Sequence, residues 1–89
     1  MPTGSSNTQL KHDLKCLLVE QCEKDVDPSH ISDDEPLLGE AGQLQLDSLD
    51  VLQINVALAK KYQVRVQDVK HALRVMQSIN ALADFVQPG

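Results

Sequence analysis

The spacing Asp47-x-x-Asp50, set directly before apolar residues that recur with a helical period, constrains this chain more than any other feature. An acid at the N-cap and another three residues on satisfy amides that the first turn leaves unpaired, so a helix starts at Ser48. At about 100° per residue, Leu49, Leu52, Val56 and Ala59 form one stripe and Val51, Ile54, Leu58 and Tyr62 a second. Asp50, Gln53, Ala57, Lys60 and Lys61 fall on a narrow polar strip, so this helix is expected to be surrounded on most sides. Ser48 lies on its first turn outside that packing, where free amides and the helix dipole favour an attached phosphate. Read locally, Asp47 and Ser48 can also be capping residues and nothing more.

The segments on either side are helical too. Ser6 and Gln9 have capping-box spacing, and Leu10, Leu14, Leu17 and Leu18 follow at helical intervals, which predicts a first helix over about residues 8–23. Met1 to Asn7 is small and polar and is expected to be disordered. Lys24 to Leu46 carries two prolines, two glycines and dense acidity, the pattern of a long ordered loop anchored by Val26, Ile31, Leu37, Leu38, Leu44 and Leu46. Gln63 to Arg65 ends the Ser48 helix, and Gln67 to Leu73 forms a short third helix. Ser78 then caps a last one with Ile79, Leu82, Phe85 and Val86 inward, ended by Pro88 and Gly89. Eighty-nine residues make one small domain, and with Tyr62 and Phe85 as the only aromatics its interior is aliphatic. The expected fold is all-α: a small four-helix bundle, three main helices and one short, with a long loop between helices 1 and 2.

Charge and chemistry narrow the function classes. The net charge of −5 is unevenly spread: residues 20–50 carry −9, residues 51–89 carry +3 and residues 1–19 carry +1. The acidic part steers basic surfaces toward Ser48 and disfavours nucleic acid. No apolar run is long enough for membrane insertion and no signal-peptide pattern is present, so a cytoplasmic protein, monomeric when free, is expected. Cys16 and Cys22 lie about 9 Å apart along one predicted helix and cannot bridge each other there. His12 and Cys16 have metal-ligand spacing but no CxxC or HxxxH partner, and Asp33, Asp34 and Glu35 lack the alternation and glycine of a calcium loop, so no metal site is assigned. A hydrolytic serine needs glycines at positions 46 and 50, where Leu46 and Asp50 stand, so no catalytic residues are assigned and the chain is not read as an enzyme.

Leu46 to Leu49, LDSL, followed by DVLQINVALAKKYQVRV, resembles the prosthetic-group attachment site of the acyl carrier protein family. The likeness spans about Leu10 to Val86, and Val26 to Ile31 matches the x-D-P-x-x-I stretch of the loop that joins the first two helices in that family. The resemblance implies an acyl carrier domain over residues 8–87, with 4'-phosphopantetheine from coenzyme A attached through a phosphodiester to Ser48. It implies a phosphopantetheinyl transferase as modifying partner. It further implies ketosynthase, ketoreductase, dehydratase and acyltransferase or ligase partners that exchange acyl thioesters in a fatty-acid-like or polyketide pathway. A peptidyl carrier, or an unmodified helical interaction module of the same fold, is the alternative.

Two departures from the family pattern carry expectations of their own. Leu44-Gln45-Leu46-Asp47-Ser48 stands where the family commonly has Leu-Gly-x-Asp-Ser, and Gln45 in place of glycine suggests a different backbone path. The resemblance implies a partner surface of Asp47, Leu49, Asp50, Leu52, Gln53 and Val56. Where fatty-acid carriers usually place glutamates, this helix has Gln53, Ala59, Lys60 and Lys61, which points to a specialised carrier, of an aryl-polyene or related pathway. Acyl chains are expected to shelter between the Ser48 helix and the helix ending at Phe85.

Overall fold

The computed structural model describes residues 3–39 and 42–88, with Val69 described in its backbone alone. Met1 and Pro2 of the segment expected to be disordered, Glu40 and Ala41 of the long loop, and Gly89 at the expected stop lie outside the described residues. The architecture is the expected all-α bundle: α1 (Thr8–Gln21), α2 (Ser48–Tyr62), α3 (Val69–Val75) and α4 (Ile79–Val86). Two helices are long and two short, since α4 has 8 residues against 7 in α3.

Leu14 and Leu18 of α1, Ile54 and Leu58 of α2, and Ile79 and Leu82 of α4 meet in the core with no exposed surface. Each buried aliphatic side chain of this kind contributes about 1.5–3 kcal/mol before conformational entropy is set against it. The loop anchors Ile31, Leu37, Leu44 and Leu46 are buried with them, while Val26 and Leu38 are half-buried.

Helix α1 starts and stops by local rules. Asn7, not Ser6, is the N-cap: its side-chain oxygen accepts from the Leu10 amide at 3.1 Å, while Gln9 donates to Asp13 at 3.0 Å. The helix ends two residues earlier than expected, because Glu23 takes a left-handed conformation (φ 52) and the Lys24 amide reaches back to the Val19 carbonyl at 3.1 Å. That is the hydrogen-bonding pattern of a helix stop at which glycine is usual.

Residues 3–7 correct the expectation of a disordered N-terminal segment. Gly4–Ser6 form a 3-10 turn docked on α4, with the Gly4 amide donating to the Gln87 carbonyl at 2.7 Å and the Ser5 amide to the Asp84 carboxylate at 2.8 Å. Gly4 makes the approach possible, since a Cβ there would sit 1.8 Å from the Ala83 carbonyl oxygen. The sequence reading missed this because the turn has no periodicity and its partners lie about 80 residues away.

The long loop is held at several points. Lys11 and Lys15, one turn apart on α1, both pair with Asp33, at 2.8 and 2.7 Å, and the Asp33 carbonyl accepts from the Asn80 amide of α4 at 2.9 Å. Glu35 accepts from the Ser32 and Gln43 amides at 2.6 and 2.8 Å. The Leu46 amide donates to the Leu37 carbonyl at 3.0 Å and the Gly39 amide to the Leu46 carbonyl at 3.2 Å, which closes the loop directly before Asp47. Its end is therefore a fixed support for the start of α2.

Candidate functional site

Asp47 has extended backbone (φ −116, ψ −173), the conformation an N-cap needs to turn its side chain over the helix end. The Asp50 amide donates to its carboxylate at 3.0 Å, and the Asp47 amide donates to the Asp50 carboxylate at 3.1 Å. The capping box read from the sequence is present in full. Bonding to the Asp50 amide, the largest cause, holds the Asp47 carboxyl below the usual carboxylate range. Ser48 follows as the first helical residue, exposed, and none of the side-chain hydrogen bonds among the described residues uses its hydroxyl.

Ser48 lines a groove of about 450 Å³. One wall is α2, with Val51, Leu52 and Asn55, and the other is α3 and its lead-in, with Val66, Ala72 and Leu73. The Val66 amide donates to the Asn55 side-chain oxygen at 3.2 Å, which pins the connector against α2 and fixes the groove's width. Asp68 caps α3 by accepting from the His71 amide at 2.8 Å, and both it and Asp47 line the groove, so the lining carries two carboxylates.

The groove lies between α2 and α3, whereas the shelter expected from the sequence is between the Ser48 helix and the helix ending at Phe85. Phe85 packs edge-on against His71, ring centroids 5.2 Å apart, and takes no part in the groove. Ala72 and Leu73 are among the lining residues that sequence reading missed. The pairing of a small with a large apolar side chain was visible, but no local signal places α3 across the first half of α2.

The expected partner residues divide into two sets. Leu49, Leu52 and Val56 are 68%, 61% and 55% exposed, Gln53 and Asp47 are exposed as well, and these five lie around the Ser48 end of α2. So α2 is not surrounded on most sides: Ile54 and Leu58 alone are fully buried, and the stripe led by Leu49 faces outward. Asp50 departs from the expectation. Its side chain is 16% exposed, turned back onto the cap and facing Lys24 at 3.7 Å, so it does not join the outward face. Half-buried Cys22 belongs to the same corner, and burial first, with the Asp50 charge second, pushes its thiol up to about 11.

Gln45 takes a left-handed conformation (φ 50), which glycine adopts without cost. At this position glutamine carries the strain that glycine would not.

The thiols of Cys16 and Cys22 are free, and His12 Nε2 lies 3.6 Å from Cys16 Sγ. Among the described residues no three His, Cys, Asp or Glu side chains converge on a possible metal position. Among them too, no helix is long and apolar enough to cross a membrane. No protein-family model matches this sequence, and the search of curated proteins found no match either.

Proposed function

We propose that the chain is an acyl carrier protein, with Ser48 as the attachment point for 4'-phosphopantetheine. One observation carries the reading: a free, exposed serine hydroxyl opens a firmly capped helix and stands on the lip of an apolar groove. The residues present fit the group. The Ser48 hydroxyl is exposed, the rigid cap fixes the serine for a modifying enzyme, and the groove walls offer apolar surface to an acyl chain.

The attachment balances simply. The Ser48 oxygen attacks the pantetheine-bearing phosphorus of coenzyme A, the phosphoanhydride bond breaks, adenosine 3',5'-bisphosphate leaves, and the hydroxyl proton passes to a base of the transferase. The bound group supplies a terminal thiol that holds acyl cargo as a thioester. Everything else falls to the chain's own side chains: Asp47 and Asp50 hold Ser48 in place, and Leu49, Leu52 and Val56 offer apolar contact to ketosynthase, ketoreductase, dehydratase and acyltransferase or ligase partners in turn. The pathway in this reading is fatty-acid-like or of polyketide type, and a specialised one.

The exposed apolar stripe would equally suit an unmodified interaction module, and intact mass separates the two. Incubation with coenzyme A and a broad-specificity phosphopantetheinyl transferase is expected to add one phosphopantetheine to the wild type and nothing to Ser48→Ala. That variant stays folded, with stability altered by about 1 kcal/mol or less because Asp47 is the cap. An unmodified wild type, or a modified Ser48→Ala, would remove the reading.

A further inference from the structure

The outward face of α2 carries no available carboxylate beyond its cap. Leu49, Leu52, Gln53, Val56 and Lys60 share one side of the helix by their spacing, and all are exposed. Asp50, the acid that the sequence places among them, is turned inward toward Lys24. Among the described residues, the exposed large hydrophobic side chains are Leu49, Leu52 and Val56 here and Leu73, 51% exposed, across the groove. Beside Leu73 stands exposed Arg74, and Lys61 is exposed beside Lys60. Lys60 and Lys61 thus make the far end of the face cationic, although the chain as a whole carries −5.

The geometry points to a protein partner that docks an apolar ridge along Leu49, Leu52, Val56 and Leu73 and sets carboxylates against Lys60 and Lys61. It rests on the carrier reading for what Ser48 does beside this face, but the complementarity itself does not need the modification. A basic partner would meet Lys60 with repulsion where the apolar contact is made, and a like charge at a rim discriminates as well as an opposite charge attracts. An anionic lipid surface would cover the whole face, exposed Asp47 included, whereas a protein partner can set its carboxylates at Lys60 and Lys61 alone.

The test uses two synthetic amphipathic helical peptides with one apolar face of leucines, flanked by glutamates in one and by lysines in the other. Each is titrated into the full isotope-labelled chain and followed by amide chemical shifts. The glutamate peptide should perturb Leu49, Val56, Lys60 and Leu73 and bind roughly fivefold tighter than the lysine peptide at low salt, a gap that narrows as salt is added. Lys60→Glu with Lys61→Glu should reverse the order, and Lys60→Gln with Lys61→Gln should abolish it while circular dichroism confirms the fold. Equal or tighter binding of the lysine peptide, or shifts centred on Lys11, Lys15 and Lys24, would overturn the inference. So would perturbation of the same face by phosphatidylserine-containing vesicles in preference to either peptide. Ser48→Ala should bind the glutamate peptide like the wild type, so failed modification by the transferase removes the carrier reading and leaves this result standing.

Discussion

Asp47 and Asp50 cap one helix end in both directions, each carboxylate accepting from the other's amide at 3.0 and 3.1 Å. The arrangement uses two residues of like charge, and it holds because each carboxylate is bound to an amide at the positive end of α2. Lys24, 3.7 Å from Asp50, offsets part of the remaining repulsion.

A pH dependence follows from this cap. The Asp47 carboxyl is held below its ordinary value in the folded chain, so its contribution is complete above the unfolded pKa and is lost as pH falls through the folded one. Urea unfolding followed from pH 6 down to pH 2 should show a falling midpoint in the wild type and a shallower fall in Asp47→Asn, which keeps an acceptor without titrating. Parallel profiles for the two proteins would contradict the assignment.

Ala72 sets the size of the groove from the α3 side. Ala72→Leu should fill part of it, costing about 1–3 kcal/mol of stability if the walls resist. On the carrier reading, the same change should speed thioester hydrolysis of long acyl forms toward the rate of short ones, whereas Ile54→Phe should act chiefly on stability because Ile54 lies in the core. Equal hydrolysis rates for short and long acyl forms in wild type and Ala72→Leu would count against sheltering in this groove.

Gly4 has no room for a side chain. Gly4→Ala would drive a Cβ into the Ala83 carbonyl, so the 3-10 turn should undock from α4 at a cost of about 1–3 kcal/mol. Hydrogen exchange at the Gly4 and Ser5 amides should lose its protection while the α1 and α2 amides keep theirs, since no buried hydrophobic side chain of the core comes from Gly4–Ser6.

Gln45 offers the opposite case. Its left-handed backbone and exposed side chain make Gln45→Gly a relief of strain with nothing lost from the core, and stability should rise by up to about 1 kcal/mol. Thermal unfolding of the two proteins checks it, and a decrease would mean that the extra freedom of glycine in the unfolded chain outweighs the strain.

Local chemistry was legible in the sequence. The Asp47 and Ser78 caps, the leucine face of α1 and the anchors Ile31, Leu37, Leu44 and Leu46 follow from short-range periodicity and from the need of each helix end to satisfy its own amides. These choices are made within a few residues, so one strand of sequence is enough to read them. The position of Ser48 at the head of α2 belongs to that class.

What the sequence could not decide is everything that depends on which segments lie side by side. Periodicity gives α2 two apolar stripes without saying which is covered; the tertiary structure buries Ile54 and Leu58 and leaves Leu49, Leu52 and Val56 to solvent. The groove lies where the Val66 amide ties the connector to Asn55 and Ala72 and Leu73 of α3 face the first half of α2, which no spacing within either helix encodes. Asp50 faces inward because the end of α1 delivers Lys24 beside it, and Gly4 packs because α4 offers it a carbonyl about 80 residues away. Helix formation is settled by neighbours in the chain, whereas exposure, groove shape and charge at the site are settled by neighbours in space.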